Sequence, residues 1–337
     1  MKRALTAVVA ALLALTTLSA CGGSASGGTT TTIRYQSSVG TVDVLQLADA
    51  LGYLDGLTLK KVGDVTGGPQ SVQALASNQI DISASCFFGA VAQVVATGVP
   101  VKAVVSTYGS NDKISSGIVT LQGSTIADAH DLIGKKIAVN TLGANAEAVL
   151  DTWFEQEGLT PEEIDQVTLV PLPPLNTVQA LQEKQVDAAS IGSGAIKAAE
   201  STGVKLQVLV EDTDVVGSYN GGGFVMQTKF LEQNPDTSEK LVTGVAKAVR
   251  YVESHSRDEV LDVYTKWLTD NGYADYVQAV EQNWAGTTGV ATTDTAAIAD
   301  DDISIWLDWL GSRGDVDSDE IQPSDVYTND YNDLAKG

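Results

Sequence analysis

The groups best suited to thiol or metal chemistry are two cysteines and two histidines, and the sequence keeps them apart. Cys86, His130 and His255 stand too far from one another to form a recurring zinc spacing, so no metal site is expected. His130 lies beside Asp128 and Asp131 in a stretch that reads as a surface loop or helix end. His255 sits at a helix junction, Glu253-Ser254-His255-Ser256-Arg257. There is no Gly-x-Ser-x-Gly elbow, no His-Glu-x-x-His and no phosphate-binding loop. No carboxylate pair is singled out either, so no catalytic residue is assigned.

Cys21 has a different setting. It follows a basic start, Met1-Lys2-Arg3, an apolar run from Ala4 to Leu18, and the small residues Ser19-Ala20. The run is shorter than the roughly 20 residues a membrane span needs and fits the apolar region of a signal peptide. Leu18-Ser19-Ala20-Cys21 matches the bacterial lipobox, in which the chain is cut before a cysteine whose thiol carries diacylglycerol. Residues 1–20 therefore read as a signal peptide. Residues 21–32, rich in Gly, Ser and Thr, read as a flexible lipidated tether. The fold is expected to start near Ile33. With Cys21 carrying lipid, Cys86 is left alone and no intramolecular disulfide can form.

The chain carries 43 acidic and 20 basic residues, net −23, and loses Lys2 and Arg3 with the signal peptide. Such a surface repels phosphate backbones, which argues against nucleic-acid binding. An anionic ligand would have to be met by local donors such as helix N-termini, because no basic funnel exists to steer it. The length suits two lobes of ordinary domain size.

Strand and helix signals alternate. Ile33 to Gln36, Leu57 to Val62, Gln79 to Ile82 and Val99 to Val105 read as strands. Helical patterns lie at Val42 to Leu51, after Pro69, and from Phe88 to Ala96. The rhythm restarts at Ile137-Ala138-Val139. It continues through a helix from Ala146 to Glu157, a strand at Val167 to Val170, a helix at Thr177 to Lys184, and strands at Val186 to Ala189 and Leu206 to Val210. Alternation of this kind implies a mainly parallel α/β sheet in each half. Beyond Lys229 the chain reads as helical, with Trp267, Trp284, Trp306 and Trp309 as packing residues.

Several segments, in order, are similar to the sulfonate/nitrate/taurine-type (NMT1-like) substrate-binding proteins of ABC importers. They are Gly67-Gly68-Pro69-Gln70, Ala74 to Ile82, Gly98 to Val104, Asp131-Leu132-Ile133-Gly134-Lys135-Lys136-Ile137-Ala138-Val139, Glu157 to Pro161, and Leu181 to Ala188. The resemblance spans roughly Ile33 to Val252. It implies a bilobed type II periplasmic-binding fold, two Rossmann-like α/β lobes joined by a two-strand hinge. Lobe 1 would comprise residues 33–118 and 221–337, and lobe 2 residues 119–220. It also implies a monomeric receptor on the outer face of the cell membrane, held by lipid on Cys21. Such a receptor needs no cofactor and hands a small ligand to a permease and ATPase. An exported enzyme on the same fold, or a sensory surface lipoprotein, would share these features.

Ligands of parallel α/β folds bind beyond the carboxyl ends of strands, where helices begin. That rule selects Tyr35, Gln36, Thr66, Gly67, Gly68, Ser85, Cys86, Phe87, Tyr108, Asn140, Gly143, Asn145, Ser190, Gly192, Ser193 and Asn220 as ligand-binding candidates. Cys86 has an inert reading too, since nothing basic nearby favours a thiolate. Two departures from the family pattern bear on the ligand. Gly143-Ala144-Asn145-Ala146 lacks the hydroxyl run found in taurine-type members, and Gly192-Ser193-Gly194 stands where many members carry Trp-Glu-Pro. A cleft without that tryptophan, walled by Phe87, Tyr35 and Tyr108, points to a ligand bulkier than taurine, such as an aromatic or heteroaromatic acid.

Overall fold

The computed structural model describes residues 30–317 and 320–336. Cys21, the signal segment 1–20 and the tether up to residue 29 lie outside them. The first part of the chain forms β1 (Thr32–Ser38), α1 (Val44–Ala50), β2 (Thr58–Val65), α2 (Gly68–Ala76), β3 (Cys86–Phe87), α3 (Phe88–Ala96) and β4 (Val101–Ser110). The middle part forms β5 (Ser116–Leu121), β6 (Lys136–Val139), α4 (Asn145–Gln156), α5 (Pro161–Ile164), β7 (Thr168–Pro171), α6 (Pro174–Gln182), β8 (Ala188–Gly192), α7 (Ser193–Ser201), β9 (Leu206–Glu211) and α8 (Asp212–Val216). Then come β10 (Tyr219–Gln227), α9 (Thr228–Gln233), α10 (Pro235–Ser254), α11 (Arg257–Asp270), α12 (Val277–Asn283), α13 (Asp300–Ser312) and α14 (Pro323–Val326). None of the described helices is long and apolar enough to cross a membrane.

Two sheets result. In the first, β1 pairs in parallel with β2, while β10 pairs antiparallel with β3 and β4. Single bridges from Ile82 to Tyr35 and to Met226 join the two groups. In the second, the order is β7-β6-β8-β5-β9. The expectation of mainly parallel sheets is therefore corrected to mixed ones. β6 is parallel to β7 and β8, but β5 runs antiparallel to β8 and β9. The reason lies in how strands arrive. A strand reached through a local helix returns parallel to its predecessor. β5 and β10 instead carry the chain from one sheet to the other, and no local crossover constrains their direction.

Each sheet is covered on both faces. Leu45, Leu47, Val245 and Val249 of α1 and α10 pack on one side of the first sheet. Val72, Leu75, Phe88, Val91, Trp306 and Leu310 of α2, α3 and α13 pack on the other. In the second sheet, α4 lays Val149, Leu150, Trp153 and Phe154 against Ile137 and Val139. Leu181 of α6 packs with Val119, Ala138 and Ile191 on the opposite face. The four tryptophans beyond Lys229 are all buried, as packing residues are.

Two local readings change. The stretch from Gln79 to Ile82 is not a strand; only Ile82 bridges its neighbours. Side chains take over there: Ser83 Oγ accepts from Val225 N at 2.9 Å and Ser71 Oγ from Ala84 N at 2.8 Å. The first sheet also begins one residue before Ile33. Thr32 already pairs with Thr58, and Thr30 N donates to Asn234 at 3.1 Å.

The start of α2 is held by close backbone contact. Gly68 lies so near β3 that a Cβ would overlap the Cys86 Cα. Its φ is not in the left-handed region, so the requirement is for space. Gly68→Ala is expected to cost about 1–3 kcal/mol through forced displacement of α2. Urea denaturation of the two proteins measures it, and an unchanged midpoint would refute the packing argument.

Candidate functional site

The two sheets face each other across a cavity of about 310 Å³. Four of the helices that begin on its wall are α2, through Gly67, Gly68 and Pro69; α4, through Ala144, Asn145 and Ala146; α6, through Pro174 and Thr177; and α7, through Gly192 and Ala195. None of the four is capped by a side chain. Elsewhere, α1, α5 and α11 are capped by Asp43, Thr160 and Ser256, while α9, α10 and α12 also begin without a side-chain cap. An uncapped first turn leaves backbone N–H donors without partners and carries the positive end of the helix dipole. These first turns adjoin one shared space that is partly open to solvent. Pro69 and Pro174 contribute no N–H, and Ser193 N donates to the Ser115 carbonyl at 2.9 Å, so the remaining donors and the dipole ends are what favour an anion there.

Neutral polar side chains complete the lining: Ser38, Thr66, Ser85, Ser116, Thr141 and Ser190, with the amides of Asn140 and Asn145. Among the described residues, no Lys, Arg or His lines the cavity. Its acidic member, Asp212, is occupied. Asp212 Oδ2 accepts from Ser110 Oγ at 2.6 Å and from Tyr219 Oη at 3.0 Å, while Oδ1 accepts from Ser116 N at 3.1 Å. Asn145 Nδ2 donates to the same Tyr219 oxygen at 2.8 Å. This chain of bonds ties the start of α4 to the two places where the backbone passes between the sheets.

Phe87 and Tyr108 supply aromatic surface. Phe87 is fixed edge-on by Trp306, with ring centroids 4.7 Å apart, and by Trp309 at 6.0 Å. The Tyr108 ring lies against Gly221 and Gly222 of β10, where any Cβ would stand within 2.7 Å of it. A second space of about 380 Å³ continues from the first and shares Ser38, Thr66, Tyr108, Ser116, Asn140 and Gly192 with it. Its further wall includes Val39, Val42, Ile114, Leu175 and Trp284. The space is therefore elongated; α6 and α7 begin beside both parts, and the second part adds these apolar side chains among the hydroxyls of Thr41, Ser115, Ser193, Thr287 and Thr288.

The family described as NMT1/THI5 like matches residues 44–258. The chain belongs to that family. A putative aliphatic sulfonates-binding protein of Bacillus subtilis is 29% identical over 213 residues, 63% of this chain and 60% of that one. The taurine-binding periplasmic protein of Escherichia coli is 28% identical over 211 residues, 61% of each. The aligned stretch thus spans about three fifths of these relatives' own length. Among solved structures, the alkanesulfonate-binding protein SsuA of Xanthomonas axonopodis bound to MOPS superposes with a TM-score of 0.68 at 18% identity. That match covers 89% of this chain and 99% of the other, so the fold is that of the periplasmic binding proteins.

In this NMT1/THI5-like chain, Thr66, Gly67, Gly68, Ser85, Phe87, Tyr108, Asn140, Asn145, Ser190 and Gly192 all line the first space. Ser193 lines the second. Five sequence candidates do not line either. Tyr35 is buried in the core and accepts from Gln46 Nε2 at 2.9 Å. Gln36 stays within β1. Cys86 is fully buried, and burial pushes its thiol up to about 12, which makes it inert. Gly143 turns the chain, with its N–H donating to Glu147 at 2.9 Å. Asn220 lies in β10, where it donates to Asp302 at 2.9 Å and accepts from Ala291 N at 2.8 Å. The strand-end rule fails at these places because it picks a position along the chain without the direction of the side chain. Thr141 lies within the Asn140 to Asn145 loop that the strand-end rule selects, whereas Ser38, Ser116, Pro174, Thr177 and Asp212 stand outside the selected loops. Pro174 and Thr177 follow β7 and open α6, so the same rule applied to that strand would have found them. Asp212 likewise follows β9 and opens α8, so the rule applied to that strand would have reached it too.

Burial raises the Asp212 carboxyl above the usual range, against the opposing effect of its hydrogen bonds. Asp43 and Asp302 are raised by burial in the same way. A raised carboxyl holds its proton more tightly when folded. Stability therefore falls as pH rises from about 4, the ordinary Asp value, through the folded value. Asp212→Asn is expected to flatten the slope of Tm against pH over this window, whatever its effect on absolute Tm. Parallel slopes for the variant and wild type would contradict the assignment.

Proposed function

We propose that this protein is an extracytoplasmic solute-binding receptor that delivers a small anionic organic ligand to an ABC importer. The observation that carries the reading is the convergence of four helix starts without side-chain caps on one shared space, with no basic side chain among its described lining residues. Backbone donors are fixed in place and cost no side-chain ordering, which suits tight and reversible capture. Membership of the NMT1/THI5-like family and the names of its sulfonate- and taurine-binding relatives support the same conclusion.

In this reading residues 33–118 with 221–337, and residues 119–220, act as two lobes that close on ligand by hinge motion. The backbone passes between the sheets at 110–116 and 211–219, within a few residues of that division. The receptor works as a monomer, is not an enzyme, and is held by lipid on Cys21 near its permease and ATPase. The continuous second space favours a ligand larger than taurine, an aromatic or heteroaromatic sulfonate or carboxylate, with its anionic group at the helix starts.

A thermal-shift panel tests both parts. Ligand at 100 times Kd stabilises by about 2.7 kcal/mol. Aryl sulfonates and aryl carboxylates are expected to raise Tm more than methanesulfonate or taurine, and the neutral amides of the same acids are expected to have no effect. Stabilisation by small alkanesulfonates alone would overturn the bulky-ligand reading. Consumption of a stabilising acid on prolonged incubation would show an enzyme instead.

A further inference from the structure

Outside the cavity lining, one charged cluster joins the two sheets' halves. Arg313 directly follows α13, which packs with α3 and Phe87 on the first sheet. Glu147 and Asp151 stand on α4, which packs on the second. Arg313 Nη1 donates to Glu147 Oε1 at 3.0 Å and to Asp151 Oδ2 at 2.5 Å, and its Nε donates to Asp315 at 2.9 Å. Trp309 Nε1 donates to the same Asp151 oxygen at 3.2 Å, and the Arg313 guanidinium lies 5.0 Å from the Trp309 ring centroid. The Glu147 and Asp151 side chains are only 13% and 16% exposed.

We propose that Arg313 is a positioning residue for ligand capture: an interlobe latch that holds the cleft shut and sets the start of α4. The ligand consequence rests on the receptor reading above; the closure itself does not. Three features carry it. An isolated surface ion pair contributes little. This one uses a planar guanidinium on two edges, stacked on an aromatic ring and partly shielded from water. Second, Arg313 is the cation shared by Glu147 and Asp151 on one side and Asp315 on the other, so its loss removes the attraction between the two sides. Third, the contact reaches the cavity. The free oxygen of Glu147, Oε2, accepts from Gly143 N at 2.9 Å, and the residues that follow, Ala144 and Asn145, line the site.

The contact between α7 and α12 is of another kind. Gly194 lies against the carbonyl of Asn283 with no room for a Cβ, a backbone contact that salt does not screen. Salt sensitivity of closure therefore reports on the Arg313 side.

Small-angle X-ray scattering on the ligand-free protein tests the latch. At low salt, Arg313→Gln is expected to have a larger radius of gyration than wild type, and wild type is expected to expand in 1 M NaCl, where the screening length falls to about 3 Å. Lys336→Gln breaks bridges to Glu239 and Asp333, both outside this cluster, and is expected to change nothing. Arg313→Lys keeps the charge without the two-edged fork and is expected to lie between. If Arg313→Gln fails to fold, Asp151→Asn reads the same contact from the other side. Identical radii for wild type and the latch variants at both salt concentrations would overturn the proposal. With 2-naphthalenesulfonate as probe, Arg313→Gln is expected to weaken binding at least tenfold by calorimetry. Absence of probe binding to wild type would count against the receptor reading and leave the scattering result standing.

Discussion

Backbone N–H groups in the first turn of a helix have no partner within that helix, and most of this fold is arranged around that fact. Four such turns open on one space, and no side chain caps any of them. A buried donor without a partner is costly. The walls of the space mix hydroxyl and amide groups with Phe87, Tyr108 and Ile118, and in the proposed reading an anion would satisfy several donors at once. The acidic surface outside, net −23, makes the interior donors matter more, since nothing at long range draws an anion in.

Holding those turns in place falls to contacts behind the cavity. The Phe87 ring rests on Trp306 and Trp309, so the aromatic wall is braced by α13. Tyr108 lies on a glycine run in β10 that admits its ring. Asp212 gathers Ser110, Ser116 and Tyr219, and Tyr219 in turn receives Asn145. These residues belong to both crossings between the sheets and to the start of α4. The two crossings between the sheets and the candidate site are thus one bonded unit.

Arg313 extends that coupling to the outer edge of the cleft. The Trp309 that braces Phe87 from behind also binds Asp151 and stacks under Arg313. α13 therefore touches the aromatic wall of the site, the ion cluster and the helix that presents Asn145. No residue of α13 lines the cavity, so its part in the site is read only from the packing.

By itself the sequence determined the alternation of strands and helices, the division into two α/β halves, and most of the loops that line the site. It could do so because hydrophobic period, Gly and Pro at helix starts and the strand-end rule are all local. Thr66, Gly67, Gly68, Ser85, Phe87, Asn140 and Ser190 were all legible in this way. Tertiary structure decided what depends on direction and long-range pairing. It turned Tyr35 into the core and buried Cys86 beneath α2, although both stand where site residues stand. It added β5 and β10, which no strand signal marked, and set them antiparallel to their neighbours, because strands that carry the chain between sheets escape the handed crossover of a local helix. It also brought Asp212, Tyr219 and Asn145 together, and Arg313 to Glu147, pairs that no spacing along the chain relates. Hydrogen bonds and ion pairs of this kind depend on where packed elements place two atoms, and a one-dimensional pattern does not carry that information.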